Sequence, residues 1–223
     1  MRLSRSFFEQ KTLKVAKELL GCFLIRQIGE KQIVGRIIET EAYCGPKDLA
    51  NHASRGRTKR TELMFGPAGH AYVYLIYGMY YCFNIVTEGE GYPGAVLVRG
   101  VDIVDNRRSR TEDLRSKIKD LRSKKIIGPG KVCREMKIDK ELNGIDVVVN
   151  KRLWVDGQGS KIAVPAHSSL SLRAHPSESK TGRQEDLRSK INNKKFNIIR
   201  LPRIGVDYAG EYKDKLWRFK LTN

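Results

Sequence analysis

Residues 22–27, 32–43, 70–77, 80–87 and 95–104 are runs rich in Ile, Val, Phe and Tyr, punctuated by turn residues. Gly29 divides the first two runs, Gly78 divides 70–77 from 80–87, and Glu88-Gly89-Glu90-Gly91-Tyr92-Pro93-Gly94 leads into the last. Successive strands joined by such short links pair antiparallel, because a parallel crossover needs a dozen or more residues. An antiparallel sheet is therefore the expected frame. A further hairpin is expected from 146–150 and 153–156, and closing strands from 197–206 and 217–221. Leu13, Ala16, Leu19 and Leu20 follow helical spacing and predict a helix over 12–20, with Thr12 as cap and Gly21 as stop. A second helical run, Val132–Met136, follows Gly128-Pro129-Gly130-Lys131.

At 223 residues and 40% apolar composition the chain suits one large domain. Lys and Arg number 43 against 25 Asp and Glu, a net charge of +18, which favours a polyanionic partner such as DNA or RNA. There is no apolar stretch of roughly 18 residues, so no membrane span is expected. The N-terminus lacks the apolar core of a secretion signal. Cys22, Cys44, Cys82 and Cys133 form no Cys-x-x-Cys pair and read as thiols in a reducing cytoplasm. Location on the nucleoid is expected if the source is bacterial. The histidines are scattered, so no metal cluster is expected, and no cofactor is expected either.

Asp-Leu-Arg-Ser-Lys occurs at 113–117, 120–124 and 186–190. The polar segments that carry it, near 106–125 and 174–195, read as exposed insertions; the alternative is a basic surface that tracks DNA. Gly128-Pro129-Gly130-Lys131 lacks the upstream Gly and the following Ser/Thr of a nucleotide phosphate loop. It suits either a plain turn or a helix start at which Lys131 and free N–H groups meet a DNA phosphate.

The chemistry-bearing segment is Glu39-Thr40-Glu41-Ala42-Tyr43. Strand alternation puts Glu39, Glu41 and Tyr43 on one face. Glu41 is the candidate general base, since a free glutamate is ionised at neutral pH and can deprotonate or orient water. The alternative is a salt bridge at a strand end. Glu39 is the competing carboxylate, and two on one face also suit a glycosidase-like pair. Tyr43, His52 and Tyr74 could form a slot for a planar base, or could simply pack a sheet. Tyr77 falls beside Gly78 at a hairpin tip, where an aromatic ring could enter a duplex and replace an extruded nucleotide. Arg55, Arg57, Lys59 and Arg60 crowd the preceding loop and suit phosphate contacts.

Three strings carry a resemblance: Gly35-Arg36-Ile37-Ile38-Glu39-Thr40-Glu41-Ala42-Tyr43, His52-Ala53-Ser54-Arg55-Gly56, and Tyr72 through Asn84. Leu19-Leu20-Gly21, Val96–Arg99, Arg203-Ile204-Gly205-Val206 and Ala209-Gly210-Glu211 extend it almost from end to end. The chain resembles the alkyladenine (3-methyladenine) DNA glycosylase family. The resemblance implies a single α+β domain, a curved antiparallel sheet with surrounding helices, and no metal. By resemblance Glu41 activates water, Arg99 helps to hold that water, and the carbonyl of Val206 is its backbone partner. Tyr43, His52 and Tyr74 match the walls of the base pocket. Asn84 matches the amide that crowds the exocyclic amine of guanine, and Tyr77 the residue inserted into the DNA gap. Lys59 and Thr61 depart from the proline and asparagine of the family's basic loop, and Asp207 stands where a glycine can occur.

The implied enzyme is a monomeric, monofunctional base-excision repair glycosylase. Its expected partner is duplex DNA containing damaged purines: 3-methyladenine, and hypoxanthine as in some members. Arg57 and Lys131 are the expected phosphate contacts. The rivals are a non-catalytic nucleic-acid-binding module with Glu41 structural, and an acyl- or formyl-group enzyme, for which no nucleophile motif is present.

Overall fold

The computed structural model describes residues 1–104, 124–157 and 197–222. Most of the two repeat-bearing segments therefore lies outside the described residues. Among these residues nine antiparallel strands form one curled sheet. They are β1 (Phe23–Ile28), β2 (Lys31–Cys44), β3 (Ala71–Ile76), β4 (Tyr80–Thr87), β5 (Gly94–Val104), β6 (Lys124–Ile127), β7 (Leu153–Asp156), β8 (Asn197–Leu201) and β9 (Arg218–Thr222). The main order is β3-β4-β5-β2-β1-β7; β6 adds to β5, and β9 pairs with both β2 and β8. Among the described residues three α-helices accompany the sheet: α1 (Arg5–Phe8), α2 (Thr12–Glu18) and α3 (Pro129–Met136). The fold is thus a single α+β domain with a curved antiparallel sheet, as the sequence implied.

The two longest strands set the geometry. One edge of β2 pairs with β5 along its length, and the other pairs first with β1 and then with β9. The β2–β5 register shifts on either side of Glu39, which bends the sheet. Gly100 sits opposite Glu39, where an added Cβ would meet the Glu39 Cβ at 2.9 Å. Only glycine lets the strands close there.

Directly opposed residues share a face, so each row across the sheet has one fate. Ala42, Val96, Ile85 and Ala71 form one row and enter the main core. Val15 and Ala16 of α2, Val132 and Met136 of α3, and Phe8 complete that core. Burying each large side chain stabilises the fold by about 1.5–3 kcal/mol. The Thr40 hydroxyl ties the same face to α2, donating to the Ala16 carbonyl at 2.7 Å. The next row, Glu41, Leu97, Asn84 and Tyr72, faces the opposite way.

Four local expectations need correction. Thr12 is the first residue of α2 rather than its cap. The cap comes from Glu88, whose Oε1 accepts the Thr12 N–H at 2.9 Å and the Thr12 hydroxyl at 2.6 Å. Residues 146–150 form a turn: the Asp146 side chain accepts the Val148 N–H at 2.9 Å, and its carbonyl accepts the Asn150 N–H at 2.9 Å. That side chain gives the backbone an alternative to a ladder, and β7 pairs with β1 instead. The strand expected over 197–206 stops at Leu201, because Pro202 has no N–H to give the ladder. Finally, Lys124 and Lys125, expected in an exposed insertion, belong to β6.

Candidate active site

The sheet face opposite the helices carries a cleft of about 320 Å³, near the lower end of the range for small-molecule sites, about 300–1,000 Å³. Alternate residues of four strands line it: Glu41 and Tyr43 from β2, Tyr72 and Tyr74 from β3, Cys82 and Asn84 from β4, and Ala95, Leu97 and Arg99 from β5. The loop residues Asn51 and His52 close one side, and Ile204, Val206 and Tyr208 another. Tyr77 stands at the rim.

Glu41 is fully buried and lines the cleft, and its oxygens meet several groups rather than a single counter-ion. The Ile204 N–H donates to Oε1 at 3.0 Å, and the Tyr43 hydroxyl donates to Oε2 at 3.0 Å. Arg99 Nε lies 3.6 Å from Glu41 Oε1 but 3.2 Å from Glu39 Oε1, and neither contact is aligned as a hydrogen bond. Glu39 is held further by Arg218 Nη1 at 3.0 Å. Glu39 and Glu41 therefore do share a face, but Glu39 is an ion-pair anchor behind the cleft. Burial pushes the Glu41 carboxyl up; Arg99, the Ile204 N–H, Tyr43 and Arg218 pull it back, and burial wins. The carboxyl is thereby more basic than a solvated one, which suits a general base.

The aromatic walls are joined. The His52 and Tyr74 rings meet edge to face at 4.6 Å, and the Tyr72 and Tyr74 rings lie 5.1 Å apart. His52 Nδ1 lies 3.1 Å from the Tyr72 hydroxyl. Burial and then the charge of Arg60 lower the His52 pKa to about 4, so the ring is neutral at physiological pH. Burial raises the Tyr43 and Tyr74 hydroxyls, which stay protonated. The cleft thus offers apolar ring faces with hydroxyl edges, suited to a planar heterocycle. Asn84 is buried at the floor, and its amide nitrogen donates to the Tyr72 carbonyl at 3.1 Å.

The Val206 carbonyl accepts the Ala209 N–H at 2.9 Å, and its second lone pair stays available for another donor. Tyr77 and Gly78 have φ of 51° and 69°, in a turn closed by the Met79 N–H to the Ile76 carbonyl at 3.1 Å. This mirror-image turn suits a tight hairpin and holds Tyr77 84% exposed. Arg57 is exposed and its guanidinium lies 5.0 Å from the Phe65 ring; Lys131 is exposed in the first turn of α3. Neither lines the cleft, whereas Pro129 does. In the basic loop Thr61 is buried, its hydroxyl accepting the Thr58 N–H at 2.9 Å and reaching the Gly56 carbonyl at 3.1 Å. Among the described residues no three His, Cys, Asp or Glu side chains group to hold a metal ion, and no helix is long and apolar enough to cross a membrane.

Several site groups were not singled out from sequence. Tyr72 and Cys82 were visible only as part of the aromatic run, although strand alternation with Tyr74 and Asn84 places both on the cleft face. Tyr208 lines the cleft from a distant segment and Arg218 reaches Glu39 behind it, long-range placements that leave no local signal.

Comparison with known proteins identifies the family. The family model for methylpurine-DNA glycosylase matches residues 6–175. A Legionella pneumophila (strain Lens) protein named "Putative 3-methyladenine DNA glycosylase" is 41% identical over 222 residues, covering 100% of this chain and 95% of its own. Relatives of the same name from Methanocella arvoryzae and Natranaerobius thermophilus are 41% and 35% identical, covering 97% and 100% of this chain and 90% and 96% of their own.

Proposed function

Because this chain belongs to the methylpurine-DNA glycosylase family, we propose that its cleft receives a damaged purine turned out of duplex DNA. It is a hydrolase acting on N-glycosyl bonds, and the proposed substrates are 3-methyladenine and, as the deaminated case, hypoxanthine. Basic residues bind phosphates, with Arg57 and Lys131 among them. Tyr77 fills the vacated position in the duplex. The base stacks against Tyr43, His52 and Tyr74 over Asn84. Glu41, with Arg99 and the Val206 carbonyl, orients a water at C1′ of the deoxyribose and accepts its proton, while the C1′–N bond breaks and the purine departs with the bonding pair. The negative carboxylate also stabilises the oxocarbenium-like transition state. No cleft-lining residue among those described is a lysine, which supports a monofunctional reaction without a Schiff base. The enzyme is proposed to act as a monomer in the cytoplasm.

The observation that carries the reading is Glu41, a buried carboxylate raised by its surroundings, at the back of a tyrosine- and histidine-walled cleft. The test is a duplex with one hypoxanthine or 3-methyladenine, assayed for free base. Wild type should release base, and Glu41→Gln should bind equally but release it at least about 100-fold more slowly. Tight binding with no release by either protein would leave only a binding module.

A further inference from the structure

Asp48 and Arg203 form a bidentate pair whose side chains are both fully buried. Arg203 Nη1 donates to Asp48 Oδ2 at 2.6 Å and Nη2 to Oδ1 at 2.8 Å. Each partner is also fastened to the backbone around the cleft. Asp48 accepts the N–H of Cys44 at 3.1 Å, just beyond Tyr43, and that of Ala50 at 3.1 Å, two residues before His52. Arg203 donates to the Ala42 carbonyl, between Glu41 and Tyr43, at 2.9 Å and to the Tyr212 carbonyl at 3.2 Å. Its guanidinium lies 4.9 Å from the Tyr43 ring and 5.0 Å from that of Trp217. The next residue, Ile204, holds Glu41 through its N–H.

We propose that the Asp48–Arg203 pair is a positioning device for the hydrolytic step, fixing the Glu41 strand, the His52 loop and the 204–206 segment in one geometry. Neither side chain lines the cleft, so each acts through the groups it holds. Stability alone is a poor account of the pair. Two charges removed from water gain little over apolar packing, and Arg203 Nε is buried with no hydrogen-bond partner among the described residues. What the pair supplies is direction: a planar fork with two parallel bonds fixes angle as well as distance. Lysine retains the charge and loses the fork.

The proposal rests on the glycosylase reading, and the test separates the two. Single-turnover base release from a hypoxanthine duplex is measured across pH for wild type, Glu41→Gln and Arg203→Lys, with duplex affinity and thermal melting alongside. Arg203→Lys should fold and bind the duplex like wild type but release base about 10- to 100-fold more slowly, the scale of a small misplacement of reacting groups. Its acid limb should move to higher pH, because Glu41 loses the well-placed Ile204 N–H that favours its ionised form. A folded Arg203→Lys with wild-type rate and acid limb, or with weakened binding alone, overturns the proposal. If Arg203→Lys does not fold, Asp48→Asn decides, since it keeps the side chain's shape and breaks the two-bond fork. A slower rate with the same limb shift supports the proposal, and an unchanged profile overturns it. Wild type that releases no base would instead sink the glycosylase reading.

Discussion

The Tyr43 hydroxyl donates to Glu41 Oε2 at 3.0 Å, so a wall of the cleft also holds its carboxylate. That bond favours the ionised acid against the burial that disfavours it. Tyr43→Phe keeps the ring and removes the donor. Its pH profile for base release should show the acid limb displaced to higher pH, with the plateau rate at alkaline pH much less affected than the rate near neutrality.

Glu41 itself limits stability. Its folded pKa lies above the unfolded reference of 4.5, so the folded state holds the proton more tightly. Stability from this group is therefore lost as pH rises through the folded pKa, and the cost is complete above it. Glu41→Gln should melt at a higher temperature than wild type near neutral pH, and the difference should shrink toward pH 4.5.

His52 has the opposite sense. Its pKa falls from 6.5 to about 4 on folding, so the unfolded chain binds the proton first. The neutral ring's contribution is intact above pH 6.5 and lost as pH falls toward about 4. In urea titrations over that window His52→Gln should lose stability less steeply than wild type, by a slope approaching one proton.

Tyr77 should act on the nucleic acid rather than on the fold, being 84% exposed. Tyr77→Ala should leave melting nearly unchanged. Loss of one stacking contact, about 1–3 kcal/mol, should weaken binding to a lesion-bearing duplex accordingly. A fluorescent base analogue beside the lesion reports this as a smaller unstacking signal.

Glu88 should act only on the fold. It caps α2 from a distant turn, accepting both the N–H and the hydroxyl of Thr12. Glu88→Ala should lower unfolding free energy by about 1 kcal/mol, the usual worth of a helix cap. Base release at 25 °C should be unaffected.

The cleft was legible in the sequence where chemistry follows strand alternation. Glu41 and Tyr43 two residues apart, Tyr72 and Tyr74, and the hairpin glycine after Tyr77 all announce which side chains share a face or a tip. Long-range partners were not legible. Arg218 reaches Glu39 across 179 residues and Arg203 reaches Asp48 across 155, and no local pattern encodes such pairs. Thr12 was misread because a threonine before an apolar run is a sound local cap signal. Here a tertiary neighbour supplies the carboxylate and frees the hydroxyl for Glu88 and Thr87. The turn at 146–150 was missed because Asp146 turns its side chain back on its own backbone.

The curled sheet makes one set of strands serve two environments, with Glu41 and Tyr43 of β2 presented to the cleft and the alternating Thr40 and Ala42 to the hydrophobic interior. Length is therefore the coordinate this scaffold cannot vary: losing a single residue between Glu39 and Tyr43 would send an acid inward and an alanine outward. Adaptation to a new lesion must come from exchanging side chains in place, or from the connecting loops, where insertions leave the strand phase untouched.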